Sequence, residues 1–96
     1  MPNAARIHAI MDADLADDDR LDHATALASE GRARHSRGDV RGALAKFNEA
    51  LATGRTILDT AKRQRAELPA MRGLGVAHGE LGQLEDAVEA LSLIHI

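Results

Sequence analysis

Apolar positions recur at helical spacing along almost the whole chain, and Asp, Gly and Pro mark the gaps between them. Ile7, Ile10, Met11 and Leu15 form one stripe and predict a helix over about residues 3–16. Pro2 suits its first turn, where a missing N–H costs little. Asp17, Asp18 and Asp19 interrupt the stripe and predict an acidic turn, with any of the three able to cap the next helix. That second helix is expected from Leu21 to Ser36, burying Leu21, Ala24, Leu27 or Ala28, and Gly31. Gly38 is its stop signal, and Asp39 is a good N-cap for a third helix. Val40, Ala43, Leu44, Phe47, Ala50 and Leu51 give the third helix a strong apolar face. Gly54, Ile57, Leu58, Ala61 and Leu68 keep the same period, so the helix is expected to run on to about Glu67, roughly 42 Å at 1.5 Å per residue. A break near Gly54, or near Asp59 and Thr60, is the alternative. Pro69 disfavours helical geometry at Leu68 and predicts a boundary there. A fourth helix over Ala70–Leu81, a stop at Gly82 and a fifth helix from Leu84 complete the pattern.

The pattern repeats. LASEGRARHSRGDVRGAL at residues 27–44 returns 44 residues later as MRGLGVAHGELGQLEDAV at residues 71–88. Gly31 returns as Gly75, Ala33 as Ala77, Gly38 as Gly82 and Ala43 as Ala87. Leu27, Val40, Leu44 and Phe47 return as Met71, Leu84, Val88 and Leu91. A fixed period of this size marks stacked units that cannot each bury an apolar face alone. The resulting expectation is an all-α chain of about five helices, the last one cut short. Its divisions are a leading helix and acidic turn over 1–20, a first unit over 21–68 and an incomplete second unit over 69–96.

Composition narrows the packing. Apolar residues are 45% of the 96, but many are alanine and Phe47 is the sole aromatic, which suits closely approaching helices. With no cysteine, disulfides and thiolate metal sites are excluded. No apolar run approaches the length of a membrane span, and the N-terminus lacks a signal-peptide pattern, so a cytoplasmic chain is expected. The net charge of −3 conceals an order: residues 1–30 carry seven acids and two bases, 31–72 ten bases and four acids, and 73–96 four acids alone. Solvated helix faces explain most of this, while an acid–base–acid layout can also bias how units or chains meet.

Catalytic chemistry finds little footing. The cluster Asp12, Asp14, Asp17, Asp18, Asp19 and Asp22 lacks the central Gly and distal Glu of a calcium loop and reads as capping or a solvated turn. The five histidines show no zinc-ligand spacing, and no nucleophile or phosphate-loop signature occurs. The basic residues Arg55, Lys62, Arg63, Arg65 and Arg72 lack the broad basic footprint and stacking aromatics of a nucleic-acid binder. No metal, cofactor, membrane or nucleic-acid partner is expected, and an enzyme is the least favoured class.

The stretches GDVRGALAKFNEAL and GQLEDAVEAL resemble the turn and second helix of the tetratricopeptide repeat. Leu27, Gly31, Ala43, Phe47 and Ala50 fall on the family's pattern in the first unit, and Met71, Leu74, Gly75, Ala87 and Leu91 in the second. The spacing of 44 resembles the extended units of that family rather than the common one of about 34 residues. The resemblance implies that Phe47 fills space toward the next unit. It also implies a right-handed superhelix whose concave groove, lined by the first helix of each unit, holds a segment of a protein partner. Mapped by the motif, the groove residues are Thr25, Ala28, Arg32 and His35, then Arg72, Val76, Gly79 and Glu80. Arg32 and Arg72 suit a carboxylate through charge-assisted bonds. The implied function is a protein-interaction scaffold. The alternatives are a regulatory or sensor segment docking another domain of a larger transcriptional or signalling protein, and a self-associating helical bundle. The final string LSLIHI resembles a translated sequencing adapter: Ile94 and His95 stand where the echo calls for counterparts of Ala50 and Leu51. A native sequence that departs from this one after about Leu91, within a longer repeat array, is therefore expected.

Overall fold

A computed structural model of the chain describes the backbone of residues 4–94 and the side chains of residues 13–86. Three helices make up the fold among the described residues: α1 (Ala4–Ser36), α2 (Val40–Arg55) and α3 (Thr60–Ile94). The all-α class is as expected; the count of about five is not. The stripe of Ile7, Ile10 and Met11 and the tail from Leu91 fall outside the described side chains.

The first expected break, at Asp17–Asp19, does not form, because Asp17 serves a distant part of the chain. It is buried, 3% exposed, and its carboxylate accepts the N–H groups of Leu58 at 3.0 Å and Asp59 at 2.9 Å. With the carboxylate so employed, α1 runs straight through the acidic segment.

The expected continuous helix from Val40 to Glu67 is instead broken at Thr56–Asp59, the alternative position. The N–H groups of Thr56 and Ile57 turn back to the carbonyls of Thr53 and Gly54, and Ile57 plugs the core at 1% exposure. Arg20 of α1 donates to the Thr56 carbonyl at 3.0 Å. Asp59 then caps α3, accepting the Lys62 N–H at 2.9 Å. Lys62 itself lies 2.9 Å from Asp18 and 3.6 Å from Asp14, and the hydrogen bond to Asp18 leads in raising its pKa above the ordinary lysine value.

The turn between α1 and α2 forms where Gly38 and Asp39 predict it. Gly38 takes a left-handed φ of 83°, and the N–H groups of Gly38 and Asp39 close onto the carbonyls of His35 and Arg34. Asp39 accepts the Gly42 N–H at 2.9 Å and pairs with Arg34 at 3.3 Å. Asp39→Ala is expected to lower stability by about 1 kcal/mol, seen as a lower urea midpoint with unchanged helical content at low urea.

The equivalent turn at Gly82 is absent, and the boundary expected at Pro69 is too. Gln83 stands where Asp39 stands and His78 where Arg34 stands, so the cap and its ion-pair partner are both missing from the second copy. Pro69 lies inside α3. A proline there forfeits one helical hydrogen bond, but the flanking Ala66 and Ala70, 2% and 0% exposed, hold that stretch against its neighbours.

α2 runs antiparallel to both long helices. Ala24, Ile57 and Ala66 form one core cluster with Leu21 against it, and Leu27, Ala28, Ala50 and Ala70 form another with Leu51 against it. An added Cβ on Gly54 would lie 2.9 Å from the Ala66 Cβ, so α2 and α3 meet almost backbone to backbone. α1 and α3 run parallel, with Ala24 clustered with Ala66 and His35 beside Glu80, so segments that echo in sequence lie side by side. Because α2 is half as long as its neighbours, the N-terminal part of α1 and the C-terminal part of α3 extend past it at opposite ends, giving extents of 79 × 19 × 14 Å.

Candidate partner-binding cleft

Phe47 organises a place where the helices part. Its ring comes up from α2 between two glycines, Gly31 of α1 and Gly73 of α3. A Cβ on Gly31 would sit 2.7 Å from the ring Cε1, and one on Gly73 would collide with Cε1 and Cζ. Only glycine at both positions lets the ring pass between the helices. It is 2% exposed and forms the floor of a cleft of about 210 Å³. Arg32 and His35 line the α1 side, and Pro69, Arg72, Gly73 and Val76 the α3 side.

The lining is apolar at the bottom and cationic at the mouth. Arg32 Nη2 donates to Ser29 Oγ at 2.9 Å, which spans one turn of the same helix and leaves most of the guanidinium free. Arg72 is exposed and has no ion-pair partner among the described residues. His35 Nε2 donates to Glu80 Oε2 at 2.7 Å, tying the end of α1 to α3 one turn beyond Val76.

Of the residues expected to line a groove, Arg32, His35, Arg72 and Val76 come together. Glu80 joins them through His35. Ala28 does not: it is 2% exposed and belongs to the core with Leu27, Ala50 and Ala70. Thr25 is also off the cleft, an exposed residue whose hydroxyl donates to the Leu21 carbonyl at 2.8 Å. Gly79 is exposed and outside the lining. On α1, Ala28 faces the core between α2 and α3, and Thr25 faces solvent, so neither reaches the cleft. Phe47, Pro69 and Gly73 are additions to the lining. The signal for Phe47 is its expected place between the two units; Pro69 signals only a helix boundary, and Gly73 carries no signal of its own.

The central members of the other charged clusters are engaged in structure. Lys62 of the basic run is held by Asp14 and Asp18, and Arg63 Nη1 reaches the Ile57 carbonyl at 3.5 Å. Among the described residues no group of three His, Asp or Glu side chains is arranged to hold a metal ion. A second, shallow depression bounded by Arg41, Leu81, Leu84 and Glu85 lies where α3 passes the start of α2. Compared with known proteins, the chain matches no family model, no curated protein and no solved structure.

Proposed function

We propose that the chain is a right-handed helical-repeat scaffold of the tetratricopeptide kind, which holds a segment of a protein partner in the α1–α3 cleft and performs no bond chemistry. The observation that carries this reading is the cleft itself: an aromatic floor at Phe47 with two guanidiniums, Arg32 and Arg72, at its mouth. The parallel placement of α1 and α3 with α2 antiparallel to both supports the repeat reading, since it sets matching positions of the two copies on neighbouring helices. At about 210 Å³ the cleft is smaller than the ~300–1,000 Å³ of sites that enclose a drug-sized molecule. That favours one side chain of a larger partner over a free small ligand. The fitting segment carries an apolar side chain for Phe47 and a carboxylate for the arginines, and belongs to a separate protein or to another domain of the same parent. No described helix is long and apolar enough to cross a membrane, and the proposed setting is the cytoplasm.

A displayed random-peptide library selected on the chain tests this. Enrichment of an acidic residue near an apolar one is expected. Hydrogen bonds to charged groups contribute about 1.5–3 kcal/mol each, so Arg32→Glu with Arg72→Glu should weaken the selected peptides more than about tenfold while circular dichroism stays unchanged. Equal retention of the same peptides by the double variant would reject the cleft.

A further inference from the structure

The outer face of α3 repeats the covered face of α1, yet it is bare. On α1, Ala24 and Leu27 are 0% and 8% exposed, and Gly31 receives the Phe47 ring. Their counterparts on α3 are Leu68 at 59%, Met71 at 54%, and Gly75, where an added Cβ would meet nothing within 4 Å. By sequence, a segment able to cover Met71 and Gly75 is already attached. Leu84, Ala87, Val88 and Leu91 repeat Val40, Ala43, Leu44 and Phe47 of α2.

The turn that would bring it there is half preserved. Gly82 repeats Gly38, the residue that takes a left-handed conformation between α1 and α2, and nothing lies within 4 Å of a Cβ built on it. A glycine weakens the straight helix in which it now sits. Beyond it, Glu85 and Asp86 would fall in the first turn of a helix restarted at Leu84, where acidic side chains are favourable. What is missing is the cap: Gln83 replaces Asp39, and His78 replaces Arg34.

We propose that Gly82 is a hinge at which residues 84–94 fold back onto the outer face of α3, covering Met71 and Gly75 as α2 covers Leu27 and Gly31. The chain therefore exchanges between the straight α3 and a hairpin. In the hairpin Leu91 lies over Gly75, and Ser92 returns to the level of Leu74. The occupant is this chain's own tail, because it alone repeats the α2 pattern at the spacing the face repeats α1.

The absence of cysteine makes a distance measurement clean. Spin labels on Gln64→Cys and Ser92→Cys are about 42 Å apart along a straight helix at 1.5 Å per residue, and about 20 Å apart in the hairpin. Both distances are expected in the otherwise unaltered chain. Gln83→Asp with His78→Arg, which restores the cap and its partner, should enlarge the short-distance population. Gly82→Ala should leave only the long one, with helical content retained. The long distance alone in the unaltered chain overturns the hinge, as does a short population that fails to grow with the restored cap. A short distance that disappears on dilution with unlabelled chain assigns the face to a second copy and likewise overturns it.

Discussion

Phe47→Ala is expected to lower the stability of the chain by about 3–5 kcal/mol, the range for removing a buried phenylalanine. The ring is 2% exposed and is the largest side chain in a core made otherwise of Ala, with Leu27 and Ile57. It touches all three helices at once, rising from α2 between Gly31 and Gly73. Neither glycine has a side chain that can relax into the space left behind, so the lost packing is not recovered. A domain of this size has a total stability of only about 5–15 kcal/mol, so the variant should lose a large share of it. Urea titration followed by circular dichroism measures the loss. A decrease under about 1 kcal/mol would show that the ring does not bridge the helices.

The second large effect is expected at Asp17. Asp17→Ala removes the acceptor of two backbone N–H groups in the loop that reverses the chain between α2 and α3. Those donors have no other partner in place, and the start of α3 loses its anchor to α1. A fall of several degrees in Tm is expected, with α3 the first helix to lose hydrogen-exchange protection. The same carboxylate gives a pH signature. The hydrogen bond from Leu58, then that from Asp59, lowers its pKa below the usual 3.8; burial opposes them, and Lys62 and Arg20 assist. A depressed pKa means that the folded state holds the charged form more tightly than the unfolded state. The contribution is complete above the ordinary aspartate range and is lost as pH falls through the folded-state value. The unaltered chain should therefore lose stability more steeply on acidification below about pH 4 than Asp17→Asn does. Acid titrations of equal slope for the two would remove Asp17 from this role.

Local chemistry is legible in the sequence wherever it is complete within a few residues. The Gly38–Asp39 turn is the clear case: a left-handed glycine, a capping aspartate and the basic Arg34 one turn back all lie in six residues. The breaks that the apolar pattern misplaces depend on partners far away. Thr56–Asp59 opens because Asp17 and Arg20, about forty residues earlier, hold it open. Asp17–Asp19 stays helical for the same reason seen from the other side. At Gly82 a glycine alone does not make a stop, and the missing aspartate decides the outcome. In the cleft, Arg32, His35, Arg72 and Val76 are legible because the echo spacing sets α1 beside α3. Ala28 is misplaced by the motif mapping alone, since the apolar pattern already counts it among the buried positions of α1, where it lies.

The alanine and glycine contacts between the helices make the tolerance of this core to change one-sided. Ala24, Ala43, Ala50, Ala70 and Ala77 are fully enclosed and have only a methyl group to give up. Evolution can trim almost nothing there and can add almost nothing without prising the backbones apart. Innovation in such a molecule is pushed outward, onto the exposed faces and the overhanging helix ends, where new side chains meet water or a partner before they meet the core.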